Sequence, residues 1–287
     1  VPHPPGYPVW TLYTWLFTVL VPVSNIAFRV GLASAFAGAC SCALLALMVS
    51  RGSGMILKGI DGFQSIDDRT EKAISGVSGW VAGMLFGFNG FMWSQAVIVE
   101  VYTLSVFSLM GVFVCLMRWM YIPKDRKYLY WAFFLFGICF NNHQSLVVAA
   151  IGLEIAIAAA NPRLGRDLFL GNSIFYVIGL IAKWNGAITA FDQNIPLFII
   201  YNSVGFCSIA AFVWLWSQTR EMLTQWVPVV LMLLVWLVGL SFYFYMPLTS
   251  STNPPMNWGY PRTWQGFVHA FTRGQYERTN PTTSLFR

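Results

Sequence analysis

Residues 226–247 run without one charged side chain, and residues 25–50 carry a single charge, Arg29. Runs of that length and polarity leave few folds open. A helix rises about 1.5 Å per residue, so about 20 mostly apolar residues cross the ~30 Å hydrocarbon core of a bilayer. In lipid every backbone N–H and C=O must find a partner within the protein, which favours helices over open sheets. Further apolar runs at about 74–93, 98–121, 128–142, 144–160, 168–185 and 195–217 bring the expected spanning helices to eight. The expected fold is therefore all-α, a polytopic membrane helix bundle. The runs at 128–142 and 168–185 are somewhat short, and Pro162 and Pro196 fall where helix ends are expected. The opening run, 9–23, is shorter again and ringed by Trp10, Tyr13 and Trp15, with Pro4, Pro5 and Pro8 ahead of it. It reads as an amphipathic helix lying in the membrane interface.

Composition excludes the soluble alternatives. Of the residues, 57% are hydrophobic and 10% charged, against about 25% charged in soluble domains. The net charge of +6 first suggests nucleic acid, but the basic residues sit in short gaps between apolar runs and not on one soluble surface. They read as topology signals. The gaps at 51–72, 118–127, 163–167 and 220–221 hold eleven of the seventeen Lys and Arg residues and are expected on the cytoplasmic side. The remaining polar segments, residues 3–8, 94–100, 141–144, 185–194 and the stretch after 247, then share the outer face. All five cysteines (Cys40, Cys42, Cys115, Cys139, Cys207) lie inside apolar runs and read as small packing residues.

The outer segments hold the candidate chemistry. In His3-Pro4-Pro5-Gly6-Tyr7-Pro8 the prolines restrict the backbone and Gly6 can supply a positive φ, so a rigid loop presents His3 to a polar head group or simply turns the chain into the next helix. Arg29, one turn inside a spanning helix, binds a phosphate or acid near the outer surface, or snorkels to the interface. Glu100 opens a helix after Trp93-Ser94-Gln95-Ala96. It either complements the helix dipole or orients an acceptor, a metal or a sugar. Residues 141–144, Asn-Asn-His-Gln, make a tight turn that is either solvated or a hydrogen-bonding wall. Asn142 and His143 are its candidate binding residues. Glu154, near mid-membrane, relays protons or bonds a neighbouring helix, and Lys183 and Asp192 read as interfacial charges. Residues 250–264 combine Asn257, Trp258 and Arg262 with several prolines, which suits carbohydrate or phosphate contacts or an interfacial belt. Arg273 and Tyr276 follow. His3, Glu100 and His143 are the groups that would have to converge on a divalent cation, and no metal site is assigned.

The order of these motifs resembles a known group. The His-Pro-Pro loop, the interfacial helix, an Arg-bearing helix with Ser34-Ala35-Phe36-Ala37-Gly38, and an acid opening a later helix look like the GT-C superfamily of membrane glycosyltransferases. More closely, His3 to Tyr7, Trp93 to Leu104, Asn142-His143 and Asn253 to Trp264 resemble the protein O-mannosyltransferase-like family, glycosyltransferase family 117, formerly domain of unknown function 2723. The resemblance implies transfer of a hexose, such as mannose, from a polyprenyl-phosphate carrier to a protein or envelope acceptor at the outer face. It also implies membrane lipid, the lipid-linked donor and that acceptor as partners, with no nucleic acid, and a bacterial inner membrane with the site facing the periplasm. Such enzymes carry an acid in a first outer loop that would precede Val1, so the chain reads as a fragment lacking that helix and loop. Glu100 is then a second, acceptor-orienting acid and His3 a catalytic partner. Arg29, Asn142, His143, Asn257, Trp258 and Arg262 bind substrate. The expected organisation is a transmembrane domain over 1–247 and an outer-face polar segment over 248–287. Competing expectations are a transporter or flippase for a polar or lipid-linked solute, and a structural subunit of an envelope assembly.

Overall fold

A computed structural model describes residues 6–63, 65–188 and 190–272. Among them the regular elements are all helical. In chain order they are α1 (Pro8–Leu20), α2 (Ile26–Lys58), α3 (Asp68–Gly87), α4 (Gly90–Ala96), α5 (Tyr102–Tyr121), α6 (Lys127–Asn142) and α7 (Ala149–Ala160). There follow α8 (Pro162–Trp184), α9 (Ala190–Gln193), α10 (Ile195–Thr219), α11 (Trp226–Leu240), α12 (Tyr245–Ser251) and α13 (Trp264–Phe271). Short 3₁₀ turns, Gln144–Val148 and Ser241–Phe244, lead into α7 and α12.

Helices stand at all eight expected places. Five segments are long and apolar enough to cross a membrane: Ile26–Lys58, Tyr102–Tyr121, Pro162–Trp184, Ile195–Thr219 and Trp226–Ser251. The other three fall short for local reasons. α3 begins with Asp68, Arg69, Glu71 and Lys72, and Asp67 starts it earlier than hydropathy suggests by accepting the N–H of Arg69 and Thr70. α6 has 16 residues, and α7 has 12 behind its 3₁₀ turn. The span expected at 168–185 begins six residues sooner, at Pro162, with Asn161 capping Leu164 N–H through its side chain. Pro162 and Pro196 both occupy the first turn of their helices, where a missing N–H costs nothing.

The described residues fall into two compact units, one drawn from stretches 6–119, 127–147 and 235–272, the other from 120–126 and 148–234. In the first unit, α3 lies against α2 along Ser75, Gly79 and Gly83, all buried and four residues apart. A Cβ on Gly79 would stand 2.5 Å from the Ala46 carbonyl oxygen, and one on Gly83 3.0 Å from that of Cys42. Close backbone approach of this kind drives helix association in lipid, where burial of apolar area gives no preference.

The 13-residue α1 is too short to cross and packs on α2: Tyr13 Oη donates to the Ala33 carbonyl at 2.9 Å. Arg29 closes the joint. Its guanidinium donates to the carbonyls of Thr18 (2.8 Å), Val23 (2.9 Å) and Ser24 (3.1 Å). A cation at the carbonyl end of α1 also complements the helix dipole.

In the second unit α8 packs on α7 and α10. Arg166 and Asp167, expected in a loop, lie in the first turns of α8 and are buried, at 0% and 3% exposure. Arg166 pairs with Asp167 (2.7 Å) and donates to the hydroxyls of Thr219 (3.0 Å) and Thr224 (2.8 Å), while Asp167 accepts Gln225 N–H at 2.5 Å. The knot fixes the start of α8 to the connection between α10 and α11. Glu154 accepts from Asn172 Nδ2 at 2.9 Å, a helix-to-helix bond, and Lys183 pairs with Asp192 at 2.7 Å. The five cysteines are unpaired thiols.

Candidate functional site

The first unit holds an open cleft of about 260 Å³ lined by Gly6, Tyr7, Trp10, Thr11, Thr14, Val99, Glu100 and Val101. Two segments more than 80 residues apart in sequence build it. One wall is the start of α1. Gly6 (φ 80°) and Tyr7 (φ 37°) both adopt left-handed backbone, and Pro8 then opens the helix. Gly6 is required twice over, since its φ suits glycine and a Cβ there would run into the Met246 side chain. Thr11 Oγ1 secures the turn by donating to the Gly6 and Tyr7 carbonyls at 3.3 and 3.1 Å.

The other wall is the loop between α4 and α5. α3 ends at Gly87, and Asn89 starts α4 by accepting Phe91 N–H at 2.9 Å. α4 stops at Ala96, and the chain then bends through residues 97–100 before α5 begins at Tyr102. Glu100 ends this loop, exposed in the cleft, with its N–H on the Ile98 carbonyl at 3.1 Å. Beneath the loop, Gly38 lets α4 and α5 approach α2: a Cβ there would meet Met92, Ala96 and Thr103 at 3.3–3.8 Å. The Ser34-to-Gly38 and Ser94-to-Thr103 motifs are therefore packed on each other.

Other expected site residues surround this loop. His143 stands ring to ring with Tyr102, centroids 5.8 Å apart, which puts the 141–144 turn at the Glu100 end of α5. Asn142 is fully buried and donates to Ser108 Oγ at 3.3 Å. Asn141, also buried, donates to the Gly137 and Gly239 carbonyls at 2.8 and 3.0 Å. Two of the four residues of the expected turn thus end α6 inside the protein. Gln144 reaches α13, donating to the Phe271 carbonyl at 2.6 Å.

Asn257, Trp258 and Arg262 do not line the cleft. Asn257 braces its own segment, accepting from Ser250 Oγ at 2.8 Å and donating to the Ser250 carbonyl at 3.2 Å. Arg262 is exposed, bonds Asn253 Oδ1 and lies 5.7 Å over the Tyr260 ring, while Trp258 is half exposed. Arg29 is held by the three carbonyls at the α1–α2 joint. His3, Arg273 and Tyr276 lie outside the described residues. Among the described residues no group of three or more His, Cys, Asp or Glu is assembled.

The structure adds a feature that sequence reasoning did not assign. Among the described residues six buried side-chain atoms have no hydrogen-bond partner: Ser34 Oγ, Gln95 Oε1, Thr103 Oγ1, Trp119 Nε1, Asn141 Oδ1 and Asn142 Oδ1. Gln95 and Thr103 flank Glu100 in one motif, and Ser34 opens the motif packed against it. The signal was polar residues inside apolar helices, visible in sequence, but their common location was not.

The sequence profile of the Protein O-mannosyl-transferase TMEM260 N-terminal domain matches residues 1–163. The chain belongs to this family. Both walls of the cleft fall inside the matched region, as do Asn142 and His143. A mouse relative, "Protein O-mannosyl-transferase TMEM260" of Mus musculus, is 32% identical over 105 residues, which is 37% of this chain and 12% of the mouse protein. The matched stretch is thus a small part of the mouse protein's length. No solved structure matches the chain. With five segments long and apolar enough to span a bilayer and this family membership, the chain is an integral membrane protein.

Proposed function

We propose that the chain is part of a glycosyltransferase that moves a hexose, such as mannose, from a polyprenyl-phosphate carrier to a hydroxyl of a protein acceptor. The observation that carries this reading is the convergence of the Gly6–Tyr7 turn, Trp10 and Glu100 on one cleft within the family-matched region. About 260 Å³ is room for roughly eight waters at ~30 Å³ each, the scale of a single monosaccharide. Trp10 offers an aromatic face and Glu100 a carboxylate, a usual mixture for a sugar.

The transfer forms a bond from the acceptor oxygen to the sugar C1 and breaks the bond from C1 to the phosphate oxygen. The acceptor proton leaves to a base, and polyprenyl phosphate departs with the electron pair. Glu100, exposed in the cleft, accepts a hydrogen bond from the acceptor hydroxyl and orients it for attack. Arg262, exposed but outside the cleft lining, is proposed as a contact for the phosphate of the carrier, and Asn257 and Trp258 belong to the same segment. Arg29 supports the cleft by fixing the far end of α1, and Asn142 and His143 hold the outer end of α5 and α6. On the positive-inside argument the cleft faces the outer side, the periplasm in a bacterial inner membrane.

The test is hexose addition to an acceptor protein, read by mass, with full-length protein in detergent and polyprenyl-phosphate mannose as donor. Glu100→Gln is expected to lower transfer about 100-fold, within the usual range for a positioned acid or base, with expression and thermal stability unchanged. Unchanged turnover in that variant removes Glu100 from the mechanism.

A further inference from the structure

A second cavity, on the first unit, lies well apart in sequence from the cleft residues. It is a groove of about 380 Å³ between α6 and α11, lined by Lys127, Tyr130, Trp131, Phe134, Val235 and Val238. Its lining has one charge, at one end, and is otherwise aromatic and aliphatic. Trp131 and Val238 are more than half exposed, at 56% and 57%. The two helices approach closely at Gly137 and Gly239, where a Cβ on Gly137 would stand 2.9 Å from Gly239 Cα.

The charged end carries more than Lys127. Lys127 Nζ lies 5.1 Å from the centre of the Tyr128 ring, and the Arg118 guanidinium from the end of α5 lies 5.6 Å from the same ring. One aromatic ring therefore gathers two cations from two helices, both exposed, at the first turn of α6. The N-terminal end of a helix adds partial positive charge to this point. From Lys127 to Phe134 the groove follows α6 for about 10 Å at ~1.5 Å per residue, which fits within one leaflet of a ~30 Å hydrocarbon core.

We infer that this groove is a binding site for an anionic phospholipid of the leaflet on the basic-loop side. The phosphate sits at Arg118, Lys127 and the α6 N-terminus, and one acyl chain lies along Tyr130, Trp131, Phe134, Val235 and Val238. Charge complementarity selects the occupant. A zwitterionic lipid would fill the same apolar channel but bring its own cation to a place that already has two. The inference is independent of the transferase reading, because none of its residues borders the Glu100 cleft.

The experiment is native mass spectrometry of full-length protein released from detergent, with phosphatidylglycerol or phosphatidylcholine added in equal amounts. Each basic residue near an anionic lipid surface contributes about 1 kcal/mol, so two predict a preference for phosphatidylglycerol of about tenfold or more. The double variant Arg118→Ala, Lys127→Ala is expected to bind both lipids equally. Arg118→Lys with Lys127→Arg keeps the preference, which guards against a fold defect. Val238→Trp, which fills the channel, lowers retention of both lipids. Equal retention of the two lipids by the unaltered protein overturns the inference, as does an undiminished preference in the double alanine variant. Displacement of phosphatidylglycerol by millimolar inorganic phosphate overturns it too, by reassigning the cations to a free anion.

Discussion

The two units treat buried polar groups in opposite ways. In the second unit the most costly group, the Arg166–Asp167 pair, is fully engaged: both charges, two threonine hydroxyls and a backbone N–H close on one another. In the first unit lie all six of the buried side-chain atoms without partners among the described residues, and two of them, on Gln95 and Thr103, flank the Glu100 loop in sequence. Buried polar atoms are nearly always satisfied in native structures, and exceptions concentrate where function competes with stability. The second unit therefore fixes its own helices through satisfied charges, while the first keeps unpartnered polar groups on the elements that carry its cleft.

The largest test of that difference is Arg166. Arg166→Met leaves Asp167 buried without its cation, a change that typically costs ~3–5 kcal/mol. We expect the variant to unfold at much lower temperature in detergent or to fail to accumulate. The double variant Arg166→Met, Asp167→Leu removes both charges and should recover most of the loss, because the desolvation cost of the pair disappears with it. Thermal unfolding of the three proteins decides the matter. If single and double variants lose equal stability, the knot is held by its threonine contacts and not by the ion pair.

Thr103 probes the other side of the comparison with a smaller effect. Its Oγ1 is buried and has no partner, so Thr103→Val removes a hydroxyl that is desolvated without return. Stability should hold or rise by up to ~1 kcal/mol. Transfer activity should fall several-fold if the hydroxyl serves the loop that carries Glu100. A variant that loses stability and keeps activity would show that Thr103 is an ordinary packing residue, and the contrast between the units would lose its functional meaning.

How much of this was legible in the sequence follows from what each signal depends on. Hydropathy located all eight helices, since the cost of exposing polar backbone to lipid acts locally. Length failed where local chemistry moved the ends: Asp67 started α3 early, Asn161 and Pro162 started α8 early, and Asn89 broke the expected 74–93 helix into α3 and α4. Glu100 stood out in the sequence because a carboxylate between two spans is rare, and it lines the cleft. Its facing wall was half legible, with Gly6 and its positive φ anticipated and Trp10 and Thr11 assigned only to an interfacial helix. Arg29 offered two readings, and its neighbours across the α1–α2 joint decided where it points. Arg166 was misplaced because a charge beside a helix start looks the same whether it is solvated or buried, and only Thr219, Thr224 and Gln225, more than 50 residues away in sequence, distinguish the two.

The smallest expected effect concerns Asp67, which is fully exposed and so lies at the opposite extreme from Asp167. Its carboxyl is held below its ordinary value, first by the Thr70 hydroxyl, which donates to it at 2.6 Å, and then by the Thr70 and Arg69 N–H groups. A carboxylate whose folded pKa is depressed adds stability above its unfolded pKa and loses it as pH falls through the folded value. Asp67→Asn retains a good cap but has no charge to titrate. The unfolding temperatures of the two proteins should therefore differ slightly at neutral pH, with the native protein higher, and converge as pH drops below the ordinary carboxylate range. Added salt should shrink the neutral-pH gap, since an exposed charge is readily screened. A gap that persists at low pH would mean that Asp67 acts through its shape and hydrogen bonds alone, and the start of α3 would then owe nothing to charge.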